Sequence, residues 1–280
     1  MVHEELIAAS EGVRLNVART STEPPDVVLW HGLIRRWQDY APLLPSLASR
    51  WSVAAIDHRG HGKSSRGAGK YRVADYSADA VLSLRSIAKT PAVLYGHSLG
   101  ALTALSVAAE CPDLVKGIVL EDPPSAAFLA NVASTGYGVT WKAMRELARA
   151  HKPIPETAKA IAAIRLPNGR TLGELRDPAA LRFLAKCLAD LDPETITPAL
   201  EGGWLEGFDV LAVARKVRCP VLLLAGDPAT GGMLPTADAD AISAALADVC
   251  RVEFPGGGHL MHVEQPAAVA QVLLPFLESL

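Results

Sequence analysis

Gly96-His97-Ser98-Leu99-Gly100 decides the fold, because an apolar run leads into it and a helical run leads out. Pro91-Ala92-Val93-Leu94-Tyr95 reads as a short buried strand, and Ala101 to Ala109, rich in Ala and Leu, as a helix. A G-x-S-x-G at a strand-to-helix junction is a nucleophile elbow. The turn is so tight that the residues two before and two after the serine must be nearly free of side chain, and it exposes the serine hydroxyl at the C-terminal edge of a sheet. The helix that follows points its N-terminus, with free N–H groups, at the place where an oxyanion would develop. Ser98 is therefore the candidate nucleophile.

A nucleophilic serine needs a base, and His259 in Pro255-Gly256-Gly257-Gly258-His259 lies after a late apolar segment, Val249 to Phe254, and before a final helix opening near Glu264. Of the eight histidines, it has the strongest case. His97 is expected to pack beside the serine and His262 to lie where the loop enters the last helix, while His3 and His151 are expected to be solvated.

These stretches resemble the α/β-hydrolase superfamily over nearly the whole chain. Val27-Val28-Leu29-Trp30-His31-Gly32-Leu33 is similar to the family's strand ending in His-Gly, and the resemblance implies an oxyanion hole formed by the N–H groups of Leu33 and Leu99. Ala54-Ala55-Ile56-Asp57-His58-Arg59-Gly60-His61-Gly62-Lys63-Ser64 is similar to another family strand and its glycine-rich turn, which is structural in such proteins. Asp57, His58 and His61 are accordingly given no catalytic role and no metal, although their composition alone suits metal ligands.

The acid that completes the triad has two candidates. Asp227, in Leu222-Leu223-Leu224-Ala225-Gly226-Asp227-Pro228, follows the strand that usually supplies it, but the family's aspartate lies further on, where this chain has Ala229. Asp122, in Ile118-Val119-Leu120-Glu121-Asp122-Pro123-Pro124, ends the strand after the elbow helix. Some capped relatives, including haloalkane dehalogenases and lactone hydrolases resembling those that open zearalenone, take the acid from that strand. Asp122 is preferred and Asp227 kept as the alternative.

Strands near 27–31, 51–57, 91–96, 115–121, 219–225 and 249–254 alternate with helices near 73–88, 98–110, 236–247 and 264–279, after a hairpin over 5–20 with its turn at Glu11-Gly12. Such alternation implies crossover connections and a mostly parallel sheet covered on both faces; the resemblance implies eight strands. Between about 125 and 207 the buried-strand runs stop, and Thr140 to His151, Pro155 to Ile164 and Pro178 to Leu191 carry apolar residues at helical spacing. The resemblance makes this a helical cap inserted after the sixth strand, at 125–206, on a core of 1–124 and 207–280. Trp141, Trp204, Phe128, Met144 and Phe183 are candidate pocket residues, each with core packing as the alternative.

Bulk properties narrow the partners. A formal net charge of -3 with no basic cluster argues against nucleic acid and acidic membranes. Cys111, Cys187, Cys219 and Cys250 are widely spaced and read as reduced, mostly buried thiols. The first residues lack a basic start and an apolar run of signal length, and no apolar stretch is long enough to span a bilayer, which points to the cytoplasm. The expected protein is a cofactor-free, monomeric or homodimeric serine hydrolase of a small, fairly apolar ester or lactone. Thioesterase, amidase, C–C bond hydrolase and perhydrolase chemistry stay open, as does a receptor role on the same fold.

Overall fold

Eight strands form one sheet in the order β1-β2-β4-β3-β5-β6-β7-β8. The computed structural model describes residues 2–10 and 12–280. β1 (His3–Ala8) and β2 (Arg14–Arg19) make the expected antiparallel hairpin; Glu11, assigned to its turn, lies outside the described residues. β2 also runs antiparallel to β4 (Val53–Ile56), and every later pairing is parallel. Those pairings take in β3 (Val27–Trp30), β5 (Ala92–His97), β6 (Val115–Glu121), β7 (Val221–Gly226) and β8 (Val249–Phe254).

Side chains alternate across a strand, and here the alternation builds two apolar layers. Val28, Trp30, Ile56, Leu94, Ile118 and Leu120 enter one, beneath the helices Val73–Ile87, Leu99–Glu110 and Thr236–Ala245. Leu29, Ala55, Val93, Tyr95 and Val119 enter the other, beneath the last helix, Pro266–Ser279. The central strands are buried on both faces and therefore read as continuous apolar runs. β8 is half-buried, as an edge strand must be, and it leaves Cys250 exposed. The expectation of mostly buried thiols holds for Cys111 and Cys187; Cys219 is intermediate, and all four are free.

Between β6 and β7 the chain leaves the sheet for a run of helices, including Gly136–Arg149, Ile154–Ala162 and Pro178–Ala189. Trp141, Met144, Leu181, Leu188 and Trp204 join the same apolar layer as Leu33 and Leu99, so this insert packs onto the edge where the strands end. Polar bonds tie it down as well: Tyr71 Oη donates to Asp192 at 2.6 Å, and Arg36 pairs with Asp190 at 2.7 Å.

Candidate active site

Ser98 follows β5 directly and adopts φ 55°, ψ −115°. A non-glycine residue there stores on the order of 1–3 kcal/mol of backbone strain, sustained only when its surroundings over-determine it. Two glycines impose the turn. A Cβ on Gly96 would stand 2.0 Å from the Gly100 carbonyl oxygen, and a Cβ on Gly100 1.9 Å from that of Trp30. The elbow is thus pressed between its own helix and the end of β3. Ser98 is 3% exposed.

Asp122 follows β6 as Ser98 follows β5, and it too has positive φ, 45°. Its fully buried carboxylate accepts from Gly226 N–H at 3.2 Å and Met233 N–H at 2.8 Å, and Oδ2 lies 2.6 Å from His259 Nδ1. A carboxylate on Nδ1 fixes the proton there and leaves Nε2 as the proton acceptor. Asp227 is engaged elsewhere. It accepts from Ala229 N–H at 2.8 Å and Gly256 N–H at 3.0 Å, capping the short helix Pro228–Thr230, and these backbone bonds hold its carboxyl below the usual aspartate range. Of the two acid candidates, Asp122 is the one in contact with His259.

The turn after β3 is set in a frame of neutral histidines. His61 Nδ1–H donates to the Arg59 carbonyl at 2.9 Å, and Nε2 accepts from Ile34 N–H at 3.2 Å, pinning the residue after Leu33 at φ 69°. His31 Nδ1–H donates to the Gly32 carbonyl at 2.8 Å, and its Nε2 accepts from His58 N–H at 3.1 Å. Burial pushes His31 down to about 4 and His61 to about 3, and lowers His58. Asp57 is equally occupied: it accepts from Trp37 N–H, the Asn16 side chain and Lys63 N–H. Their structural reading follows from these bonds. Among the described residues, neither the Leu33 nor the Leu99 N–H donates to another group, leaving both available to a ligand.

Aromatic rings from the insert reach the histidine. Tyr137 stands 5.8 Å from the His259 ring, 5.9 Å from Trp141 and 5.7 Å from Phe128; Trp141 in turn lies 6.2 Å from Trp204. Tyr137 Oη donates to the Gly231 carbonyl at 2.6 Å, a bond from insert to sheet. Trp141, Met144 and Trp204 are buried and Phe128 half-buried. Phe183 stands apart from these rings, under the Arg35 guanidinium at 5.4 Å. Sequence reasoning missed Tyr137, although it precedes Trp141 by one helical turn, on the same face.

Residues 27–272 match the family model described as "Alpha/beta hydrolase family". The chain belongs to the alpha/beta hydrolase family. Among its relatives in this family, 2-(acetamidomethylene)succinate hydrolase of Mesorhizobium japonicum is 36% identical over 110 residues, a match spanning 39% of each chain. The pimeloyl-[acyl-carrier protein] methyl ester esterase of Chromobacterium violaceum is 28% identical over 93% of this chain and 97% of its own. The crystal structure of the enol-lactonase from Burkholderia xenovorans shares the alpha/beta hydrolase fold at a TM-score of 0.74, with 21% identity, over 98% of this chain and all of that one (100%). No helix among the described residues is long and apolar enough to cross a membrane.

Proposed function

We propose that this alpha/beta hydrolase cleaves a carboxylic ester or lactone of a fairly apolar small molecule through an acyl-enzyme. Ser98 is the nucleophile, His259 the general base, Asp122 its partner, and the N–H groups of Leu33 and Leu99 are the oxyanion hole. The observation that carries this reading is the 2.6 Å contact between His259 Nδ1 and Asp122 Oδ2, with Asp122 and the strained elbow serine following paired residues of the neighbouring strands β6 and β5. Family membership and an esterase among the full-length relatives support hydrolysis of ester bonds. A lactone is a cyclic ester and asks for the same steps.

In the first step the Ser98 hydroxyl oxygen bonds to the carbonyl carbon while its proton passes to His259 Nε2, and the carbonyl oxygen, now negative, takes the two backbone donors. The C–O bond to the leaving group then breaks, His259 returns the proton to that oxygen, and the acyl group remains on Ser98. Water repeats the sequence in reverse roles and releases the acid. Throughout, Asp122 stays ionised, holds the productive tautomer and stabilises the imidazolium. The insert over 125–206 serves as a cap whose aromatic wall, Tyr137, Trp141, Phe128 and Trp204 with Met144 behind, receives the apolar part of the substrate and excludes water.

A fluorophosphonate probe followed by peptide mass spectrometry tests the reading. The expected result is a single label on Ser98, with turnover of p-nitrophenyl esters or of one member of a lactone panel. An unlabelled protein that binds a lactone without opening it would be a receptor, and the hydrolase reading would be lost.

A further inference from the structure

Each member of the proposed triad has a buried polar neighbour on the opposite side of its strand or loop. His97 precedes Ser98, Glu121 precedes Asp122, and the two are paired in register across β5 and β6. Strand alternation turns their side chains from the face of Ser98 and Asp122; both are buried, 1% and 0% exposed, and the His97 ring lies 4.5 Å from that of His259. There they meet the loop that carries His259. Glu121 Oε1 accepts from both the backbone N–H of His262, at 3.0 Å, and its ring Nδ1–H, at 2.9 Å, while Oε2 accepts from the Tyr95 hydroxyl at 2.5 Å. His97 Nε2–H donates to the backbone carbonyl of His259 itself at 2.8 Å. On the far side, His262 Nε2 lies 3.9 Å from Asp39, which is held by Arg35, and the Tyr40 ring lies 4.8 Å from the imidazole.

We propose that Glu121 and His262, with His97, are positioning residues that clamp the 259–262 loop to the strand ends bearing Ser98 and Asp122, and so fix the Asp122–His259 hydrogen bond. The inference rests on the hydrolase reading for its kinetic consequences, and on geometry alone for its structural ones. The 259–262 segment is gripped through backbone atoms at its two ends, the His259 carbonyl and the His262 N–H, so a shift of the clamp would move the His259 ring against Asp122. Burying a carboxylate with two imidazoles is an expensive way to fill a core, and groups so placed are retained in some proteins for the single arrangement they specify. The charge pattern agrees. Burial opposes protonation of His262, but the Glu121 carboxylate and its hydrogen bond, with Asp39 behind, outweigh it and hold the imidazole above its ordinary value. Burial, reinforced by the neighbouring imidazoles, pushes His97 well below its ordinary value. His97, Glu121 and His262 come within 4.8 Å of one another, a separation that would also suit a cation. The bond from His262 Nδ1 to Glu121 occupies one of these donor atoms, while His97 Nδ1 and His262 Nε2 are buried with no hydrogen-bond partner.

The test compares the wild-type chain with Glu121→Gln and Tyr95→Phe by steady-state kinetics on a p-nitrophenyl ester and by the far-downfield proton resonance of the His259–Asp122 bond. Glu121→Gln is expected to lower kcat by about 10- to 100-fold, the scale of a misplacement near 1 Å, with KM changed by less than about threefold. The resonance should broaden or vanish while the circular dichroism stays native. Should Glu121→Gln fail to fold, Tyr95→Phe, which removes one bond to Oε2, is expected to cost several-fold in kcat and to weaken the same resonance. Folded variants that keep wild-type kcat and the resonance, losing only melting temperature, overturn the clamp. A wild-type chain that is neither labelled on Ser98 nor active overturns the hydrolase reading instead, and the resonance then still decides the clamp.

Discussion

Backbone turns at strand ends place the polar groups on the floor of the site, whereas the wall is made of rings carried by the helices and turns of the insert. On the floor, Ser98 and Asp122 hold positive φ, and Asp122 is fixed by two backbone N–H donors. On the wall, Tyr137, Trp141 and Trp204 pack at ring separations near 6 Å, with the Tyr137 hydroxyl donating to Gly231 and the Trp204 carbonyl accepting from Val73 N–H. Hydrogen bonds with defined angles tolerate little displacement, while ring contacts re-pack at modest cost. The floor should therefore govern rate and the wall selectivity.

The sharpest way to break this contrast is Ser98→Ala. It should lower kcat by about 10⁶ with the fold intact, the loss known for an acyl-transfer triad without its nucleophile; retention of more than a few per cent of activity removes the covalent mechanism. Next comes the acid. Asp122→Asn should cost on the order of 10⁴ in kcat through the wrong histidine tautomer. Asp227→Asn, which only weakens a turn, should leave kcat near normal and lower the denaturant midpoint slightly. The opposite outcome moves the acid to the loop after β7.

Acid tests the floor as a whole. His31, His58, His61 and His97 are buried neutral with lowered pKa, so the unfolded chain binds protons that the folded one refuses. Their contribution to stability is fully present above about pH 6.5, the ordinary histidine value, and is lost as pH falls toward about 4. The melting temperature should therefore drop steadily across that window, and a flat profile would mean these histidines are not neutral in the fold. His262, with its raised pKa, acts in the opposite sense: its contribution is present below about 6.5 and is lost as pH rises through its folded value. The smallest effect belongs to the wall. Phe128→Ala, at a half-buried position, should raise KM several-fold for a bulky ester and leave a small acetate ester unchanged. Equal loss on both substrates would assign the ring to core packing.

The sheet and the elbow were legible in the sequence because both depend on local rules: alternating burial writes the strands, and Gly96 and Gly100 are demanded by contacts within the turn and with the neighbouring strand end. The placement of the histidine loop was legible for the same reason. Asp122 was preferred over Asp227 only through the offset of Asp227 from the family pattern, since each follows a strand and precedes a proline and the contact with His259 joins residues far apart in the chain. Glu121 was passed over as the neighbour of a candidate acid. Two consecutive acids at a strand end must point to opposite faces, and that alternation was the available signal for a second buried carboxylate. Tyr137 escaped for another reason: its spacing from Trp141 marks a shared helix face, but its contact with the His259 ring joins residues far apart in the chain.

Asp122 closes β6 and, through Pro123-Pro124, opens the insert. Anyone wishing to transplant a different roof onto this scaffold is therefore constrained first at the outgoing seam. A chimaera joined directly after Glu121 would replace the left-handed residue and the prolines that follow it, and would discard the turn that presents the carboxylate to His259. A junction placed beyond Pro124 keeps that turn, and at the returning seam the new chain must still supply the left-handed Gly207 and the Trp204 carbonyl that accepts from Val73 N–H.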